Sequence, residues 1–175
     1  MKILSSDKKV HRLALDAALL GLTLILAFVE VLVPVTAWIP LPGFKLGLSN
    51  IGILTAAYIC SPSDAALVSL GKVVITALLF GNVTSFIFSA SGAAAVLILL
   101  FLLRALPILE RPFGFVGISV LCAVFHNMGQ LGSAAFVMST TAVFSYVPLL
   151  LAASCLYGTV NGLILNFIFQ RRLKL

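Results

Sequence analysis

The chain is a succession of apolar runs, nearly all of about bilayer length, broken only by short proline-bearing or polar turns. A helix needs about 20 apolar residues to cross a hydrocarbon core. Inside lipid every backbone polar group must find its partner within the protein, which leaves helices or closed barrels. The runs cover residues 13–33, 44–60, 65–80, 84–106, 115–138 and 143–169. Runs this long and continuous point to helices, so the expected fold is an all-α membrane protein with six transmembrane helices. The second and third runs are the shortest and are expected to be tilted, broken or only partly spanning. The first ends at Pro34, before a loop holding Pro40, Pro42 and Gly43. The second stops at Ser61-Pro62-Ser63-Asp64, a turn in which Ser63 or Asp64 is placed to cap the next helix.

Composition agrees with this reading. Of the 175 residues, 62% are hydrophobic and 9% charged, against about 25% charged in a soluble domain. That leaves no room for a separate soluble domain, and residues 1–175 are read as one membrane domain. The positive charge lies at the ends of runs: Lys2, Lys8, Lys9 and Arg12 before the first, Arg104 and Arg111 around the fourth-to-fifth connection, Arg171, Arg172 and Lys174 after the last. With six helices these three regions share one side, and the positive-inside rule makes that side the cytoplasm. Both termini are therefore expected in the cytoplasm and the chain in the cell membrane as a multi-pass protein. Nucleic-acid binding would need a basic soluble patch, which is missing. The first run is too long for a signal-peptide core and no clean cleavage site follows it, so it is expected to remain. Cys60, Cys122 and Cys155 lack the clustering of a disulfide framework or a zinc site and read as small core- or lipid-facing residues.

A charge at the centre of a bilayer costs about 2.5–3.5 kcal/mol on insertion scales. Within or bordering the runs lie Asp16, Glu30, Lys45, Lys72, Arg104 and His126. Asp16 and Arg104 are near cytoplasmic ends and can reach water or pair with nearby charges. The others are deeper. Glu30 belongs to the outer part of the first helix, Lys45 opens the second, and Lys72 sits near the middle of the third. His126 sits near the middle of the fifth, with Asn127 beside it and Gln130 four residues on, sharing the His126 face. Asn50 lies a little deeper than Lys45, and Asn82 in the third-to-fourth turn. One arrangement points these groups into a cavity open to the outside. Another pairs them internally, Glu30 with Lys72 or Lys45, and His126, Asn127 and Gln130 across helices. Two lysines and a histidine against one carboxylate leave a positive excess suited to an anionic, partly hydrophobic solute. A proton relay through His126 is a further possibility, although relays favour several carboxylates. Paired carboxylates in the sequence, a nucleophile elbow, HExxH and a Walker loop are all missing, so no enzyme activity, cofactor or metal is expected.

Small residues recur four apart, at Ala14 and Ala18 and at Gly158 and Gly162. Such pairs allow close backbone approach in lipid. The glycine pair is read as packing within this chain. For the alanine pair an outward face is as good a reading.

The basic tail, Ala14-x-x-x-Ala18, the outer-loop segment Pro42-Gly43-Phe44-Lys45-Leu46-Gly47-Leu48-Ser49-Asn50 and Ser61-Pro62 together resemble the substrate-binding S components of energy-coupling factor transporters. "PGFKLGLSNI" with "FHNMGQL" at residues 125–131 more narrowly resembles the Gx transporter family, which also carries the label heptaprenyl diphosphate synthase component I. The resemblance covers nearly the whole chain. It implies an S-component-like six-helix bundle that captures a small molecule from outside. Docking would run through Ala14 and Ala18 onto a membrane T component coupled to two cytoplasmic ATPases. It implies a pocket roofed by the first outer loop, with Lys45, Asn50, His126, Asn127 and Gln130 at the matching positions. Lys72, Glu30 and Asn82 are candidates from the residues alone. The component I label implies the rival role, a noncatalytic membrane subunit of prenyl diphosphate synthesis.

Overall fold

The computed structural model describes residues 2–32, 47–80, 83–106 and 113–172. Six α-helices form from the apolar runs: α1 Lys2–Leu32, α2 Asn50–Ile59, α3 Pro62–Phe80, α4 Val83–Ala105, α5 Gly114–Val137 and α6 Val147–Arg172. A 3-10 turn, Ala142–Tyr146, leads into α6. Five segments are long and apolar enough to cross a bilayer: Lys9–Leu32, Pro62–Leu79, Val83–Ala105, Gly114–Met138 and Ala142–Gln170. The chain is an all-α, multi-pass membrane protein. The exception is α2, whose ten residues reach about 15 Å, half a hydrocarbon core. The Pro34–Pro42 loop with Gly43 and Lys45, the Gly81-Asn82 turn, and the connection through Pro107, Glu110, Arg111 and Pro112 lie outside the described residues.

The turn before α3 is capped by Ser61, two residues before Ser63 and three before Asp64, the caps expected from sequence. The Asp64 amide donates to Ser61 Oγ at 3.3 Å, and Ser61 Oγ donates to Asp64 Oδ2 at 2.8 Å. Pro62 then occupies the first helical position, where its missing N–H costs nothing. Arg12 of α1 reaches the same turn, with Nε 3.0 Å from Asp64 Oδ2 and Nη2 2.7 Å from Ser61 Oγ.

These contacts fix the directions. Arg12 meets Asp64 and a Cβ on Gly71 would touch Leu20 at 3.0 Å, so α1 and α3 run parallel at an offset of about fifty residues. Helix α2 therefore has to run back between them, and it does: Ser49 meets Glu30, Gly52 meets Thr23, and the turn after α2 meets Arg12. At the end where α3 begins, Pro62 and Arg104 share one cleft. Tyr58, Phe115 and Phe169 form a ring cluster at the same end, with centroids 4.7–6.1 Å apart. The start of α1 and the end of α6 thus face one way, as the six-run count required, although one of the six is short.

The packing is that of a membrane bundle. Large apolar side chains lie bare on its outside, Phe136 at 85% and Leu78 at 81% exposure, which in lipid carries no hydrophobic penalty. The centre belongs to α2, where every residue from Asn50 to Ala56 is buried. Its Ile53 and Leu54 belong to one buried apolar cluster with Leu19, Val68, Val96 and Ile118 from four other helices. Helices α5 and α6 touch through glycine. A Cβ at Gly158 would lie 2.5 Å from Val120 Cα, and one at Gly162 would collide with Val116 Cα. The glycine pair is therefore internal packing. Ala14 and Ala18 are exposed on α1.

Candidate functional site

Polar side chains enter this apolar interior from all six helices. Glu30, near the end of α1, is buried. Its Oε1 accepts the Ser49 amide at 2.9 Å, and both its oxygens lie 3.3–3.4 Å from Ser49 Oγ. Ser49 is the N-cap of α2, so the carboxylate satisfies an otherwise open amide and faces the positive end of a helix. One residue on, Asn50 is buried. Two residues before the cap, Gly47 takes a positive φ of 74°, a conformation glycine adopts without a Cβ clash. Its carbonyl accepts the Asn50 amide at 3.1 Å and Asn161 Nδ2 of α6 at 2.9 Å. A Cβ on Gly47 would also sit 3.2 Å from Asn50 Nδ2. Helix α1, the start of α2 and α6 are thereby tied into one buried polar knot. The carbonyl oxygens of Asn50 and Asn161 have no partner among the described residues, so the knot keeps two open acceptors.

A second group lies between α4 and α5. His126 and Gln130 are both buried, with Nε2 of each 3.1 Å apart. With the Gln130 amide donating, the ring accepts at Nε2 and carries its proton on Nδ1. Opposite them α4 presents Gly92, and a Cβ there would lie 2.8 Å from two atoms of the imidazole. The glycine is what lets the histidine lie against the neighbouring backbone. Ser91 and Ser133 join the same two helices at 2.7 Å.

Asn127 turns the other way. Its Nδ2 donates to Ser154 Oγ at 2.8 Å, and Ser154 in turn donates to the Leu150 carbonyl at 2.7 Å. This is the interhelical hydrogen bond weighed from sequence. Lys72 is 4% exposed and follows Gly71, which packs on Leu20, so its ammonium stem starts at mid-helix, sheltered from lipid. Lys45 and Asn82 lie outside the described residues.

The structure thus joins Asn50 to the Glu30–Ser49 cap and joins His126 to Gln130. It commits Asn127 to α6 and buries Lys72. Asp16 departs from its expected surroundings. It is buried and faces Cys60 and Asp64, while Arg12 is committed to Asp64. Ser49, Gly92, Ser154 and Asn161 were not singled out from the sequence. Asn161, an amide inside an apolar run between Gly158 and Gly162, carried a signal of the same kind as Asn127. Gly92, in a Ser-Gly-Ala stretch, carried none.

Among the described residues the bundle interior thus buries the Lys72 ammonium, the His126 imidazole, the Glu30 carboxylate and several amide and hydroxyl groups between apolar side chains. Residues 19–168 match the family model described as heptaprenyl diphosphate synthase component I. No curated protein and no solved structure matches the chain.

Proposed function

The chain belongs to the heptaprenyl diphosphate synthase component I family, and from this we propose that it is the noncatalytic membrane component of long-chain prenyl diphosphate metabolism. It holds an amphipathic anion within its bundle and lies in the cell membrane with its basic end in the cytoplasm. The observation that carries this reading is Lys72, an ammonium buried at the middle of a spanning helix. A charge kept at that depth marks a functional position by default. A diphosphate head matches lysine and imidazole, and a prenyl chain matches the apolar helices around them. The family match contains Glu30, Asn50, Lys72, His126 and Gln130. The test is native mass spectrometry of protein purified from its own membrane, together with co-purification of a soluble prenyl synthase. A retained prenyl diphosphate and a bound synthase support the reading. Retention of an unrelated water-soluble solute, with no synthase, ends it.

A second reading has its own support. Ala14 and Ala18 lie exposed on α1, as a small-residue docking face for another membrane helix requires. In that reading the chain is the substrate-capture component of an energy-coupling factor importer, assembling with a T component and cytoplasmic ATPases. Transport by the reconstituted chain with and without those partners separates the two. Uptake by the chain alone would rule out the importer-component reading.

A further inference from the structure

At the basic end, the fold brings Asp16 of one helix against Cys60 and Asp64, which stand four residues apart around the next turn. Asp16 comes from α1, Cys60 from the residue closing α2, and Asp64 from the first turn of α3. One ligand atom from each lies within 4.8 Å of the other two. Asp16 is only 6% exposed. Its Oδ1 has no hydrogen-bond partner among the described residues. A buried carboxylate oxygen left open is costly. On Asp64 the load is uneven. Oδ2 takes Arg12 Nε, Arg12 Nη2 and Ser61 Oγ, whereas Oδ1 takes only Arg12 Nε at 3.1 Å. Oδ1 therefore keeps acceptor capacity.

We propose that Asp16, Cys60 and Asp64 bind a divalent transition metal of the zinc class, which clasps α1 to the turn between α2 and α3. One thiolate and two carboxylates are a borderline donor set, suited to Zn²⁺ rather than to Mg²⁺ or Ca²⁺. Around a tetrahedral zinc such ligand atoms stand roughly 3.5 Å apart, so closing on the ion needs only a small contraction. The charges close as well. Two carboxylates and a thiolate carry three negative charges, Arg12 carries one positive, and the ion supplies the other two. Binding expels the thiol proton to solvent. Access is from the basic end, where the Arg12 side chain is 53% exposed and that of Asp64 11%. Sequence spacing could not show the whole site: Cys60 and Asp64 stand four residues apart, but Asp16 is more than forty residues before them. Its position gives it a consequence: Asp16 lies between Ala14 and Ala18 on the same helix, so the ion steadies the stretch of α1 that displays them.

The experiment uses the full chain in detergent, titrated with Co²⁺ as a spectroscopic probe. The expected result is a near-ultraviolet thiolate-to-cobalt charge-transfer band that saturates with one ion per chain. Cys60→Ser should abolish that band, Asp16→Asn should weaken Co²⁺ binding at least tenfold, and Cys155→Ala should change neither. Variants are compared only where size-exclusion profiles match the parent. As a measurement free of ligand substitutions, excess Zn²⁺ should protect Cys60 of the otherwise unaltered chain from maleimide labelling. Absence of the band in the parent, its survival in Cys60→Ser, unchanged binding by Asp16→Asn, or labelling of Cys60 at an equal rate with and without Zn²⁺ would each overturn the proposal.

Discussion

Glu30 shows how much one side chain can hold in lipid. Its carboxylate accepts the Ser49 amide at the start of α2, and both groups are buried. Glu30→Ala should therefore lower stability by about 1–3 kcal/mol, the cost of leaving a buried donor unsatisfied. Glu30→Gln keeps an acceptor and should recover most of that loss, as read by thermal denaturation in detergent. A glutamine variant as unstable as the alanine would mean that the negative charge itself, facing the α2 terminus, does the holding. Lys72 behaves differently under the proposed function. Lys72→Ala should reduce retention of the copurified anion at least tenfold, about 1.4 kcal/mol, with the melting temperature little changed. Intact retention with collapsed stability would make the lysine a structural partner. At this scale the sequence was informative about depth and weak about direction. The apolar runs around Glu30, Lys72, His126 and Gln130 made their burial readable. Nothing in the runs told whether Asn127 faced a ligand or Ser154, because both are buried polar solutions. Asp16 looked like a residue free to reach water at a helix end. It is enclosed because α3 runs parallel to α1 and brings Asp64 beside it, a tertiary fact with no local signature.

Helix boundaries were legible because turns in this chain are chemically abrupt. The spans of α4 and α5 begin and end within a residue or two of the apolar runs. The start of α3 moved back to Pro62 because proline prefers the first helical position and puts Ser61 before it at the cap. Helix α2 was harder. A run of residues 44–60 looks like a short span, yet the described helix begins at Asn50, since Gly47 turns with positive φ and Ser49 caps. The contact between α5 and α6 rests on glycines. Gly158→Val would drive side-chain atoms into the Val120 backbone, and overpacking of this kind costs about 1–3 kcal/mol. The expected outcome is a lower unfolding midpoint in mixed micelles. Gly132→Val serves as the control, since a Cβ there meets nothing within 4 Å, and it should leave the midpoint nearly unchanged.

For the molecule as a whole, most of the buried polar groups lie inside the bundle and the outside is mostly apolar surface. Against that surface Ala14 and Ala18 stand out as small residues spaced for a helix neighbour. Ala14→Trp or Ala18→Trp should leave the bundle folded and its small-molecule retention intact. If the importer reading holds, either change should abolish co-purification with a T component. Unchanged assembly would remove α1 as the docking face.

The central position of α2 reaches beyond the finished fold. A ten-residue helix with every position from Asn50 to Ala56 enclosed by neighbours has no face to offer to acyl chains and too little length to be retained by the translocon by itself. During biogenesis α1 and α3, which point the same way, must accept it from both sides. The second segment is therefore expected to settle only once the third has emerged, and truncated nascent chains ending before Phe80 should leave it accessible to water-soluble labelling reagents.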